Sequence, residues 1–322
     1  MIVKACVLFV LSSSALLRPA FATRVENVPN TCELSARALL LADRSAVDER
    51  YLRAIAIGFA DATRSWHEMV LTILSDRRAA FALADLRFQA RLETCVLFGG
   101  APYAPRITPI EFTPIVDHPL YPLVPGRTLV YELHGADRIE RKDVTTLRTT
   151  VAIQGVTCRP VETVCTVNGE VTETSTNWYA QHADGSVWWF GELNQHFVDG
   201  ILASLEGSWR AGLNGAQAGI VVPSFANLEA PFRRGLSIGC IEGVARVTSR
   251  TSTIEVPFGR FDNAVEIEEL DPLEPLELIL EILVRGIGLV AEVEPSAGAR
   301  LELVAIFDAP QIAPPVSGAR SR

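Results

Sequence analysis

From Arg127 to Phe307 the chain is a succession of short apolar-alternating runs, and Asn-Gly and Asp-Gly pairs fall between several of them, as at Asn168-Gly169 and Asp184-Gly185. Runs such as "TLVYEL", "VWWFGE", "NAVEIEEL" and "RLELVAIF" have the period of strands, and no helical stretch separates them. Strands joined by tight turns can bury their apolar faces only by pairing with their neighbours, so this region must form an antiparallel sheet. No strand–helix alternation and no Gly-rich phosphate loop accompanies it.

Before Ala101 the period is helical. Ser45-Ala46-Val47-Asp48 has the form of a capping start, and Tyr51, Ile55, Gly58, Ala62, Trp66, Met69 and Ile73 then recur at helical spacing. "SDRR" (75–78) reads as a break and a new N-cap, followed by a stripe of Phe81, Ala84, Phe88, Leu92 and Cys95 that Gly99-Gly100 closes. With a short helix from Glu33 to about Asp43, this predicts a helical hairpin. If the first helix folds back at Ser45, Cys32 and Cys95 reach a similar level, which makes Cys32–Cys95 the favoured disulfide. The expected fold class is α+β: an N-terminal helical hairpin packed on a large, mainly antiparallel sheet, curved like a half-barrel.

The first residues carry Lys4, an apolar run from Val7 to Leu17 and the small-x-small end Ala20-Phe21-Ala22. This is the pattern of a secretory leader cleaved after Ala22, with a run shorter than the about 20 apolar residues a membrane helix needs. The expected organisation is a leader over 1–22, the hairpin over 23–100, a proline-rich extended linker over 101–126, the β domain over 127–308 and a disordered tail over 309–322. Cleavage removes Lys4 and Arg18, taking the net charge from −9 to −11. That balance, without a basic cluster, argues against nucleic acid and anionic membrane surfaces. Lys142 is then the sole lysine, which argues against Schiff-base chemistry. An extracytoplasmic location is expected, with disulfides. Cys158, Cys165 and Cys240 leave their pairing open: Cys158 and Cys165 fall on opposite strand faces unless Pro160 introduces a bulge, and Cys240 could take either.

"NWYAQHADGSVWWFGE" (177–192) packs five large aromatic rings and one histidine into a hairpin. With Asp184-Gly185 as a two-residue turn, Gln181 faces Trp188, Ala180 faces Trp189, Tyr179 faces Phe190 and Asn177 faces Glu192. Both faces are then aromatic, as in a central strand pair covered twice, and one face could line a cleft rimmed by Gln181, Asn177 and Glu192. "EGSWRAGLNGAQAGIVVP" (206–223), glycine-rich and without a clear period, reads as a long loop pinned by Trp209.

Most catalytic signatures are missing. There is no GxSxG elbow, and His67-Glu68 begins like a zinc-protease helix but has Leu71 where the second ligand belongs. Glu192, His196 and His182 lack metal-ligand spacing. In "FDNAVEIEELDPLEPLE", Glu266 and Glu268 alternate with Val265 and Ile267, the pattern of a solvated strand face rather than a calcium loop. No cofactor or metal is expected, and no catalytic residue is assigned.

"DHPLYPLVPGRTLVYE", "NWYAQHADGSVWWFGE" and "GSWRAGLNGAQAGIVVP", with the cysteine-containing helices before them, resemble a family of uncharacterised secreted bacterial proteins. Its members read NPYFPLxPGTTxVYEG, WYAQDxDGNVWYFGE and GSWxAGVDGAxPGIxMP, and the likeness spans nearly the whole chain after the leader. It implies a shared fold and no particular activity. "FRRGLSIGCIEGV" (232–244) and "LEPLELILEILVRGIGLV" depart from the acidic or charged, tyrosine-rich stretches of the pattern, and Asn214 stands where it has Asp.

The first functional expectation is a secreted or periplasmic, non-enzymatic protein that binds an apolar ligand or a protein partner on its β domain. Tyr179, Gln181, Trp188, Glu192, Glu206 and Trp209 are the candidate ligand-binding residues. One alternative is a glycan-type hydrolase using Glu192 or Glu206 as acid or base. Another is an interaction module that docks through the helical hairpin, for which an exposed apolar stripe on the helices would speak.

Overall fold

A computed structural model describes residues 30–60, 65–135, 138–224 and 230–308 of the chain. The expected leader over 1–22 and tail over 309–322 lie outside the described residues. Two N-terminal helices pack on a large antiparallel, nearly closed barrel, an α+β fold with a helical hairpin.

The hairpin has two long helices rather than the three expected, α1 (Thr31–Ala60) and α2 (Trp66–Leu97). Neither the break before Ser45 nor the one at 75–78 occurs. Ser45 sits in mid-helix, its hydroxyl donating to the Leu41 carbonyl at 2.8 Å, and Arg77 reaches back to Asp48 at 2.6 Å. Serine can satisfy itself within a helix as well as cap one, so the motif alone does not fix a boundary. The stripe running through Gly58 and Met69 belongs to both helices, which turn back between them. A Cβ on Gly58 would fall 1.7 Å from the Met69 sulfur, so glycine lets the helices touch there. Arg44–Asp85 at 2.6 Å sets the same antiparallel register, and the expected Cys32–Cys95 disulfide closes the base with Cα atoms 5.7 Å apart.

The strands are β1 (Phe112–Thr113), β2 (Arg127–His134), β3 (Ile139–Thr146), β4 (Val151–Ile153), β5 (Val156–Val167), β6 (Glu170–His182), β7 (Val187–Val198), β8 (Ile201–Ser204) and β9 (Trp209–Arg210). They continue as β10 (Gln217–Val222), β11 (Phe232–Arg233), β12 (Gly235–Leu236), β13 (Val244–Val256), β14 (Gly259–Leu270), β15 (Ile279–Val284), β16 (Gly288–Glu294) and β17 (Ala299–Asp308). The wall runs β13-β14-β15-β16-β17-β2-β3-β5-β6-β7-β10, each strand antiparallel to the next. β10 then pairs with β12, and β11 with β13, which brings the two ends of the wall together.

The two ends of the barrel differ. At one, the 101–126 segment turns inward: Val116, Leu120 and Tyr121 are buried, and the Gly286 N–H donates to the Pro119 carbonyl at 2.7 Å. Its prolines have no N–H to give to a sheet, so this stretch contributes apolar side chains as a plug rather than a full strand. At the other end α2 docks. Arg91 makes a two-pronged bond to Glu242, at 2.7 and 3.0 Å, and a third to Asp43 at 2.8 Å, while Arg87 donates to the Leu273 carbonyl at 2.7 Å. Among the described residues no helix is long and apolar enough to cross a membrane.

The bridge joins positions 63 residues apart, so the double substitution C32S/C95S is expected to cost the hairpin about 4 kcal/mol. Denaturant titration should show the helical circular-dichroism signal melting well before the tryptophan emission of the barrel. Coincident, unshifted transitions would show that the bridge does not hold the hairpin.

Candidate functional site

The aromatic hairpin is the β6–β7 pair, and its turn is one residue longer than expected. The His182 N–H donates to the Ser186 carbonyl and the Gly185 N–H to the His182 carbonyl, both at 2.8 Å, leaving a three-residue loop with Gly185 at φ 95°. Asp184 accepts from the Ser186 amide at 2.8 Å, which favours a type I turn plus bulge over a two-residue turn. The pairing near the turn is therefore Gln181 with Val187, Ala180 with Trp188 and Tyr179 with Trp189. A bulge at Phe190-Gly191 restores the expected Asn177–Glu192 pair. Gly191 has φ 140°, and a Cβ there would meet the Trp209 carbonyl at 2.6 Å. Only glycine lets β9 lie this close to β7.

The expected loop at 206–223 is instead largely sheet. β9 pairs with Gly191 and Glu192, and β10 pairs with Trp188 and Trp189, so both flank the same edge of β7. Trp209 is thereby buried edge-on against Trp189, ring centroids 5.0 Å apart.

The corrected register divides the candidate residues. Tyr179, Glu192 and Trp209 come together on the inner side with Asn177 and Trp189. Asn177 donates to Glu192 at 3.2 Å and to Ser175 at 3.1 Å, and the Tyr179 ring lies 5.7 Å from that of Tyr121 in the plug. Trp188 belongs to the other face, edge-on to Phe112 with His182 nearby, and its indole donates to Ser186 at 2.9 Å. Gln181 fastens the plug segment, accepting from the Asp117 and His118 amides at 2.9 and 3.0 Å. Glu206 is exposed, and it is its backbone carbonyl, 3.1 Å from His196, that takes part in the fold. The cysteines also separate: Cys158 is a buried thiol beside Val156, Cys165 lies opposite Lys142 inside the wall, and the Cys240 thiol donates to the Ser208 carbonyl at 3.7 Å. Burial pushes the Cys158 thiol up to about 12.

The interior of the barrel is charged. Arg234, between β11 and β12, is fully buried; it donates to the Val221 carbonyl at 2.7 Å, binds Glu281 and holds its Nε 3.2 Å from Glu269. Lys142, on β3, is also buried, 3.9 Å from Glu292 on β16. Burial drives the Glu269 carboxyl up to about 8 despite Arg234. Burial raises Glu292 too, against the pull of Lys142; at Glu281 burial also pushes upward, but Arg234 is among the charges that together bring it below the ordinary carboxylate range.

Two spaces lie in this part of the barrel, one beside the aromatic pair and one beside Lys142 and Glu281. At the hairpin end a cleft of about 20 Å³, room for a group the size of water, is lined by Glu173, Glu192, Asn194, Trp189, Trp209 and Asp271 among others. Glu206 is not part of its lining. The second, a cavity of about 40 Å³, is bounded by Lys142, Glu281, Tyr121, Tyr131 and apolar walls such as Val161 and Leu283. The indole nitrogens of Trp189 and Trp209, the Asn177 carbonyl oxygen and both Glu269 oxygens are buried without a hydrogen-bond partner among the described residues. Among the described residues no three His, Cys, Asp or Glu side chains converge to hold a metal ion. No protein-family model matches the chain, and neither a curated protein nor a solved structure is detectably similar to it.

Glu269, Glu281, Glu292, Lys142 and Arg234 were not among the expected site residues. The signal for four of them is phase: Glu269 aligns with Ile267, Glu281 with Leu283, Glu292 with Val290 and Lys142 with Val144 on alternating strands. A charge in step with the buried positions points inward. Arg234 lies on no long strand and carries no such signal.

Because folding raises the Glu269 pKa, the folded chain holds a proton there more tightly than the unfolded one. The contribution is fully present below the ordinary carboxylate pKa and is lost as pH rises to about 8. Unfolding midpoints of the ligand-free protein should fall across that window, and E269Q should flatten the fall. An unchanged slope in E269Q would assign the pH dependence elsewhere.

Proposed function

We propose that this is an extracytoplasmic, non-enzymatic binding protein that holds a small molecule inside its β barrel. The observation that carries this reading is the pair of buried, unpartnered indole nitrogens of Trp189 and Trp209, both of which line the cleft at the hairpin end. Each such group left unsatisfied costs about 1–3 kcal/mol, a cost that a ligand supplying the missing partners would offset. Aromatic rings and apolar walls beside a few polar groups form the usual lining of a small-molecule site. The disulfide supports a location outside the cytoplasm.

Native and denaturing mass spectrometry test this on protein purified from an oxidising compartment. Excess mass that disappears on denaturation is expected, and W189F/W209F, which keeps rings but removes both N–H donors, should retain it at least tenfold less. Wild-type protein without excess mass would overturn the reading.

A second reading has its own observation. On the hairpin Leu41, Leu52, Ile57, Phe59 and Leu71 are each more than half exposed. An apolar surface of this kind fits docking to a protein partner. Sedimentation of the wild type against L52E/F59E should show loss of an associated species if the hairpin docks, and identical monomers if it does not.

A further inference from the structure

We infer that a pocket between the base of the hairpin and the barrel binds a small apolar carboxylate, held at Arg233. This site is separate from the barrel interior and goes beyond the ligand proposed there. The pocket has a volume of about 210 Å³, several times that of either space inside the barrel. Its walls come from both parts of the molecule: Ala36, Leu39 and the Cys32–Cys95 bridge on the hairpin side, Leu236 and Ile238 on the side of β12.

Three charged side chains line this pocket: Arg91, Arg233 and Glu242. Glu242 is engaged, accepting two bonds from Arg91 and one from the Gly239 amide at 3.0 Å. Asp43, the other partner of Arg91, is not part of the lining. Arg233 has no such partner. Among the described residues no carboxylate comes within ion-pair distance of it, and no acceptor takes its N–H groups. What it meets instead are rings: the guanidinium lies 5.0 Å from the ring centre of Phe98 and 5.6 Å from that of Tyr103. Tyr103 is itself fixed by donating to the Ala218 carbonyl at 2.8 Å. Ring faces attract a cation and hold it in place, but they leave its in-plane N–H groups unmet. Burial pushes the Arg233 pKa down against the pull of Tyr103 and Glu242, as for a cation short of solvation. A planar fork of donors fits a carboxylate, and a monoanion matches one unpaired cation. The aliphatic walls suit an alkyl or aryl body.

Isothermal titration of the purified protein at neutral pH with hexanoate, 1-hexanol and n-hexylamine tests this. Hexanoate should bind at least tenfold more tightly than the alcohol or the amine. R233Q should weaken hexanoate at least tenfold, while R246Q, which removes an exposed arginine paired with Glu268 outside the pocket, should not. If R233Q does not fold, I238W replaces it: Ile238 lines the pocket and is 54% exposed, so added bulk there should block the acid. Hexanoate binding no tighter than hexanol, or binding that survives the substitution, would overturn the site. W189F/W209F should bind hexanoate as the wild type does, because neither indole lines this pocket. A native mass excess without hexanoate selectivity would uphold the barrel ligand and overturn this site alone; hexanoate selectivity without a mass excess would do the reverse.

Discussion

Arg234 is wholly enclosed, and its guanidinium ties the seam of the barrel together. It lies between β11 and β12, the two short strands through which β10 meets β13, and it bonds the Val221 carbonyl on β10 and Glu281 on β15. A guanidinium cannot be taken out of water without carboxylates to meet it, so Glu281 and Glu269 inside the wall are part of the same arrangement. The backbone accommodates it at Gly219, where a Cβ would come within 2.2 Å of the Arg234 backbone. Closure of the barrel and its charged interior therefore have one cause.

The ends of the barrel are managed differently, and this gives the interior a direction. Prolines and apolar side chains of the 101–126 segment fill one end, held by Gln181 and the Gly286 amide. The other end carries the cleft next to the base of the hairpin. There Arg91 is shared by Glu242 and Asp43, so one buried cation fixes both the docking of α2 and its pairing with α1. The Gly191 bulge sets Trp209 over Trp189 at this same end.

Much of the framework was legible in the sequence. The change of period near Ala101 and the turn pairs gave the helical hairpin and the antiparallel sheet; the Cys32–Cys95 pairing is as expected, although the fold-back at Ser45 from which it was argued does not occur. The helix boundaries were less legible, because a stripe that continues in phase through a turn looks like one long helix. The hairpin register slipped by one residue near its turn because Asp-Gly fits both a two-residue loop and a three-residue loop with a bulge. That slip moved Trp189 and Trp188 to the wrong faces. It also set Trp188 beside Tyr179, where the structure puts Trp189.

The sequence by itself determined which segments are strands and helices, since period, turn residues and cysteine spacing act over a few residues. Only the tertiary structure decided which charges meet. Arg234 and Glu281 lie 47 residues apart, and no local pattern links them. Their pairing follows from closing the sheet on itself: closure turns one face of every wall strand inward, away from water, where a charge must find a partner from across the barrel.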